Sequence, residues 1–261
     1  MARVNYTKTL AEEYTRLYKT CAAKASQFAT IDKLVDQLIS NRSRYENVAD
    51  HLGIPWYLIA AIHNMESSQN FSKHLHNGDP LSARTRHVPA GRPKKGHPPF
   101  TWEESAVDAL KLRKLHKIKE WSLPRLLSEL EGYNGWGYRL YHSHVLSPYL
   151  WSFSNHYKSG KYIADGTWSD TARSRQCGTV ILIKRLEEQG EITLSNIQKP
   201  IFFYSTKEEA EADKLQQFLN LFDGVALRVD GLPGESTSSA VKKLFGSYLQ
   251  NDPRNKDTRN D

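Results

Sequence analysis

The sequence predicts a mainly α-helical protein, and three observations predict it. Apolar residues recur at helical spacing through residues 6–50, a proline-initiated apolar helix follows at Pro55, and Thr101 with Glu104 heads a further helical stretch.

In the opening segment Leu10, Tyr14, Leu17 and Tyr18, then Ile31, Leu34, Val35, Leu38 and Ile39, define two or three amphipathic helices. "GIPWYLIAAIHNMESS" begins a helix with Pro55 in its first turn, where a missing N–H costs nothing. The helix ends where Ser67, Ser68 and Asn70 compete for backbone hydrogen bonds. From Phe71 to Pro99 the chain is rich in Gly, Pro, Asn and His, with "HNGDP" as a turn and "RTRHVPAGRPKKGHPP" as a basic loop; at most it holds a short β-hairpin. Helical patterning resumes in "TWEESAVDALKL", where Thr101 and Glu104 form a capping box, and continues through "SLPRLLSELEGY".

Residues 132–169 are dense in Tyr, Trp, Gly and Asn, and aromatic faces with polar tips suit sugar rings as well as cores. After "VILIKRLEEQGEI" the chain changes character near residue 190, and "NIQKPIFFYST" reads as a linker or a short strand. The expected division is residues 1–195, a second small helical unit at 200–250, and a mobile polar tail at 251–261.

The chain has 261 residues, 39% of them hydrophobic, and no apolar run approaches the roughly 18 residues of a membrane span. Glu12 and Glu13 interrupt the N-terminal segment, so no secretory signal peptide is read. Two cysteines, Cys21 and Cys177, exclude a cysteine-rich zinc site and a dense disulfide framework, and both are expected to be reduced. A net charge of +7 favours a polyanionic partner: nucleic acid, an anionic membrane surface or an acidic wall polymer.

Glu66 follows Ile62 by four positions and Ile59 by seven, so it shares their buried helix face. Desolvation and the partial negative charge of a helix C-terminus both raise a carboxyl pKa there. A carboxylic acid kept protonated near neutral pH is what glycoside cleavage needs, since the leaving oxygen must receive a proton. The same position also suits a glutamate at a frayed, solvent-facing helix end. An inverting hydrolase needs a second carboxylate roughly 6.5 to 9.5 Å away to activate water. Asp79 is the candidate, with the Thr85 hydroxyl to hold that water; an Asp before Pro also serves simply to form a turn.

"YENVADHLGIPWYLIAAIHNMESSQNF" resembles the opening of the lysozyme-like superfamily, in which goose-type lysozymes and soluble lytic transglycosylases carry the catalytic Glu before Ser at the end of such a helix. The order Glu66, Asp79, Thr85, with the last two six apart, is similar to the catalytic set of phage-type lysozymes, although the Glu-to-Asp interval is longer here. "YNGWGYR" is similar to the Tyr-Asn segment that lines the glycan groove of lytic transglycosylases, which implies Tyr133, Asn134 and the nearby Tyr138 as substrate-binding residues. The resemblance covers roughly residues 45–160. It implies a two-lobed helical domain with a small β-hairpin bearing Asp79. "KLQQFLNLFDGVALRVDGLPGESTSSAVKKLFGSYL" resembles a small helical peptidoglycan-binding domain, with Asp230, Gly231 and Thr237 on its motif together with Gly234, Ala240 and Val241.

His63, His74, His76, His87 and His97 raise a metal reading, but no HExxH motif appears and no third ligand accompanies His63 and Glu66, so no metal and no cofactor are expected. His76 is assigned instead to orienting Asp79 or meeting substrate. Arg84, Arg86, Arg92, Lys94 and Lys95 share one loop without an intervening acid, which suits either a solvated surface or encounter with an anionic polymer.

The expected activity is that of an endolysin-like muramidase cleaving peptidoglycan between N-acetylmuramic acid and N-acetylglucosamine. Its alternatives are a lytic transglycosylase, a non-catalytic wall-binding protein and a basic nucleic-acid binder, for which no base-reading motif is present. Bacterial peptidoglycan is the expected partner, with no nucleic acid and no membrane insertion, and the chain is expected to act as a monomer. It would be made in the cytoplasm and reach the wall by phage-type release or unconventional export.

Overall fold

Thr7 opens the first helix, α1 (Lys8–Thr20), by accepting a hydrogen bond from the Leu10 amide at 3.2 Å. Its buried face is Leu10, Tyr14, Leu17 and Tyr18. Two more helices, α2 (Phe28–Ser40) and α3 (Arg42–Leu52), complete the opening segment. The computed structural model describes residues 4–164, 166–194, 202–209, 211–249 and 251–258. Contacts divide the chain into two units, Met1–Ser195 and Asn196–Asp261.

In the first unit α4 (Trp56–Ser67) follows Pro55 directly, so the missing proline N–H falls outside the helical ladder. Nine of its twelve residues are buried, and a helix buried almost all round belongs to the core. The chain then forms α5 (Trp102–Leu112), headed by the complete Thr101–Glu104 capping box, and α6 (Leu123–Asn134), capped by Ser122. Two short helices, α7 (Gly137–Tyr141) and α8 (Pro148–Trp151), precede strands β1 (Lys161–Ala164) and β2 (Thr167–Ser169), and α9 (Thr179–Glu188) closes the unit. Helices α3, α6 and α9 surround α4, and α1 lies along α6. Glu66 is therefore on the last turn of a helix buried almost all round.

The protein is thus mainly helical, with one small antiparallel sheet, of β1 and β2, among the described residues. That sheet is not the hairpin expected around Asp79. Between Phe71 and Pro99 the pairing shrinks to a single bridge, Lys73 with Pro80. Pro80, Pro89, Pro93, Pro98 and Pro99 contribute no N–H to a ladder, and side-chain bonds from Asp79 and Thr85 organise the segment instead.

The second unit contains α10 (Ala212–Leu219) and α11 (Glu235–Phe245). Residues 196–201 of the expected linker lie outside the described residues. The tail expected to be mobile is tied down where it is described: Asp252 is buried, accepts from Ser238, and pairs with Arg254 at 2.7 Å. A carboxylate held by a hydroxyl and a guanidinium anchors a polar segment that hydrophobicity alone leaves unassigned.

Candidate active site at the end of the core helix

The end of α4 is built tightly. Ser68 and Gln69 both adopt left-handed backbone (φ 51° and 59°), which non-glycine residues hold only under external constraint. Their amides close the helix on the carbonyls of Asn64 (3.1 Å) and His63 (3.3 Å). The buried Gln69 side chain adds bonds to the Leu34 carbonyl and the Asn64 amide oxygen. Gly78 then approaches from the following loop: a Cβ there would stand 2.8 Å from the Glu66 carbonyl oxygen. Only glycine satisfies both that contact and its φ of +77°.

Within this frame Glu66 is half-buried, and its Oε1 accepts a hydrogen bond from the Tyr149 hydroxyl at 3.0 Å. Burial pushes the carboxyl up to about 7; the Tyr149 bond and the Arg113 charge oppose that shift and are outweighed. Arg113 is itself held against Tyr133, donating to its carbonyl at 2.8 Å with the guanidinium 4.8 Å from the ring centre. Near neutral pH the Glu66 carboxyl is therefore divided between protonated and ionised forms, able both to give and to take a proton.

Its neighbours Met65 and Tyr149 line a hollow of about 330 Å³, together with Asn134, Tyr138, Tyr162 and Gln176. Glu66 itself does not line it. Tyr138 packs edge-on against Tyr162 (5.5 Å) and Trp168 (5.6 Å), and Trp168 stacks on His142 at 3.5 Å, which fixes the β1–β2 hairpin beside α7. Arg139 on α7 pairs with Glu131 of α6 at 2.9 Å and with Glu13 of α1 at 3.0 Å. These pairs set the turn that presents Asn134.

Asn134 and Tyr138 are thus brought to one hollow, whereas Tyr133 is buried with its hydroxyl on the Leu75 carbonyl at 3.0 Å. Tyr133 therefore has its hydroxyl committed inside the fold, and what remains of it lines a second hollow together with Arg113 and Gly132.

Asp79 and Thr85 are committed elsewhere. Asp79 Oδ2 accepts from the amides of Arg86 (2.7 Å) and His87 (3.0 Å) and from the Asn77 side chain (3.2 Å), and Oδ1 meets the His87 ring at 2.6 Å. Burial acts to raise its pKa, but these bonds prevail and hold it at about 2. Thr85 donates its hydroxyl to the Pro89 carbonyl at 2.5 Å and accepts the Arg92 amide at 3.0 Å. The two residues assigned to activating and holding water therefore spend their polar atoms on knotting the 76–92 loop.

His76 neither orients Asp79 nor reaches a surface. Its side chain is buried, bonded to Asp108 at 2.9 Å, and Asp108 also pairs with Arg92 at 2.7 Å. His87 is the imidazole that meets Asp79. His63 is buried neutral between Phe71 and Trp102, its pKa lowered by burial to about 4. Among the described residues no group of three or more His, Cys, Asp or Glu is arranged to hold a metal ion.

In the second unit Asp230, Gly231 and Thr237 all converge on the buried Gln216. Its amide nitrogen donates to Asp230 (2.8 Å), Thr237 (3.1 Å) and the Leu232 carbonyl (3.1 Å), and its oxygen accepts the amides of Asp230 and Gly231, both at 2.9 Å. These motif residues spend most of their polar groups on an internal staple within the unit.

Sequence reasoning missed Tyr149, Tyr162 and Gln176, and it weighed His87 only as a metal ligand, not as the partner of Asp79. Tyr149 and Tyr162 lie in the aromatic-dense stretch, but nothing local links position 149 to position 66; the long-range packing of α8 against α6 and α9 does so. Comparison of the chain with protein-family models, with curated proteins and with solved structures finds no match in any of the three.

Proposed function

We propose that this protein cleaves the glycan strand of bacterial peptidoglycan, with Glu66 as the single acid and base of a lysozyme-like, two-lobed helical domain. The observation that carries the reading is the Glu66 carboxyl, bonded to Tyr149, held near a pKa of 7, and placed next to a hollow walled by tyrosines and Asn134. Protonated Glu66 gives its proton to the glycosidic oxygen as that bond breaks. The resulting carboxylate takes the proton of the muramic sugar's own C6 hydroxyl as that oxygen closes on the anomeric carbon. The products are a free 4-hydroxyl on one fragment and an anhydro-muramic end on the other, with no water consumed. This lytic transglycosylase course needs no second carboxylate, which agrees with the commitment of Asp79 to loop bonds.

Hydrolysis is the second reading, and one observation favours it. Asp79 remains ionised, and its neighbour Gly78 abuts the Glu66 backbone, so release of the exposed His87 would free a carboxylate close to the site. Dye release from labelled sacculi separates the two. Under the transglycosylase reading Glu66→Gln abolishes release while Asp79→Asn lowers it less than tenfold; a loss in Asp79→Asn as deep as that in Glu66→Gln supports the hydrolase. The second unit is assigned to holding the wall, with the exposed Phe218 and Phe245 on either side of Phe222 as ring-stacking surface.

A further inference from the structure

A second hollow, of about 800 Å³, shares Gly135 and Gly137 with the smaller one beside Glu66. We propose that it is a subsite for the anionic peptide stem that the muramic sugar carries, so that the enzyme prefers stem-bearing glycan to bare glycan. The proposal rests on the glycan-cleavage reading and adds to it the substrate class.

Three features identify the occupant. First, continuity: the two hollows meet at Gly135 and Gly137, so a substituent on a glycan held in the smaller one has the larger one within reach. Second, apolar surface: seven large hydrophobic residues are exposed among the described residues of the first unit, and four of them, Tyr6, Leu112, Leu140 and Tyr141, line this one hollow. Clustered exposed apolar groups mark a binding surface where scattered ones do not, and alanine-rich stems present methyl groups to such walls. Third, charge: exposed Arg113 and Lys114 stand at the lining, and its acid, Glu129, is neutralised by Arg125 at 2.7 Å. Lys114 makes no ion pair among the described residues. An uncompensated ammonium and a guanidinium beside apolar walls select carboxylates on a short apolar peptide over neutral sugar. The volume lies within the roughly 300–1,000 Å³ of ligand-sized sites.

The test uses the full chain and two readouts. Calorimetric titration of Glu66→Gln with a synthetic stem tetrapeptide, alanyl-γ-glutamyl-diaminopimelyl-alanine, is expected to show binding that weakens about tenfold on adding Lys114→Glu or Leu140→Ser. Absence of binding, or binding that neither substitution weakens, would overturn the proposal. Cleavage is then compared on sacculus glycan with stems and on the same glycan stripped by an amidase. The native chain is expected to favour the stem-bearing strand at least tenfold; Lys114→Glu removes that preference and leaves the rate on stripped glycan unchanged. Measurable cleavage at equal native rates on both strands would overturn the proposal. If the peptide binds as expected and neither glycan is cut, the stem site stands and the glycan-cleavage reading falls.

Discussion

Replacing Tyr149 by Phe tests how the site tunes its acid. The Tyr149 hydroxyl donates to Glu66 Oε1 at 3.0 Å and stabilises the ionised form, so it holds the pKa below where burial alone would put it. Phenylalanine keeps the buried ring and removes only that donor. A hydrogen bond to a charged group contributes about 1.5 to 3 kcal/mol, and one pKa unit is about 1.36 kcal/mol. Because Glu66 is only half-buried, water recovers part of the loss, and the expected shift is upward by about one unit. The acid must be protonated to act, so the alkaline limb of kcat/KM on soluble glycan strands moves from about pH 7 to about pH 8. Tyr149→Phe then loses activity at its optimum while retaining a larger fraction of it at high pH. An alkaline limb that stays in place, or moves down, refutes the assignment of Glu66 as the titrating acid.

Three further outcomes follow from the same geometry. Because the folded-state pKa of Glu66 is raised from 4.5 to about 7, the folded protein binds the extra proton and its stability falls as pH rises across that window. Glu66→Gln removes the penalty, so thermal melts of variant and native chain coincide near pH 4 and separate in the variant's favour by pH 8, by at most about 3 kcal/mol. Gly78→Ala drives a Cβ toward the Glu66 carbonyl and strains a left-handed residue; native-state hydrogen exchange should show the 72–92 loop opening far more readily, with at least a hundredfold loss of cleavage. Gln216→Ala leaves the amides of Asp230 and Gly231 without their acceptor in the second unit, and chemical denaturation should show that unit weakened by about 3 kcal/mol while the first keeps its transition.

The helices were legible in the sequence because periodicity and caps are local. Leu10, Tyr14, Leu17 and Tyr18 mark a buried face, and the Thr101–Glu104 box marks a start, without reference to the rest of the chain. Glu66 was legible for a related reason: its spacing from Ile59 and Ile62 places it on a buried helix face. What lies across the chain was not. The 71–99 segment is held by Asp79 and Thr85 reaching seven or eight residues ahead to backbone groups, a pattern with no periodic signature, so its polar residues read as free for chemistry. Tyr149 reaches Glu66 over 83 positions, and only packing joins them. In the second unit Asp230, Gly231 and Thr237 looked like a recognition motif because a turn that must be stapled and a turn that binds use the same residue types.

The most direct test is mass spectrometry of borohydride-reduced fragments released from purified peptidoglycan by the native chain, Asp79→Asn and Glu66→Gln. The account predicts anhydro-muramic ends from the first two and no fragments from Glu66→Gln. Reduced muramic ends that vanish in both variants would contradict the single-carboxyl mechanism, and fragments persisting in Glu66→Gln would contradict the role of Glu66 itself.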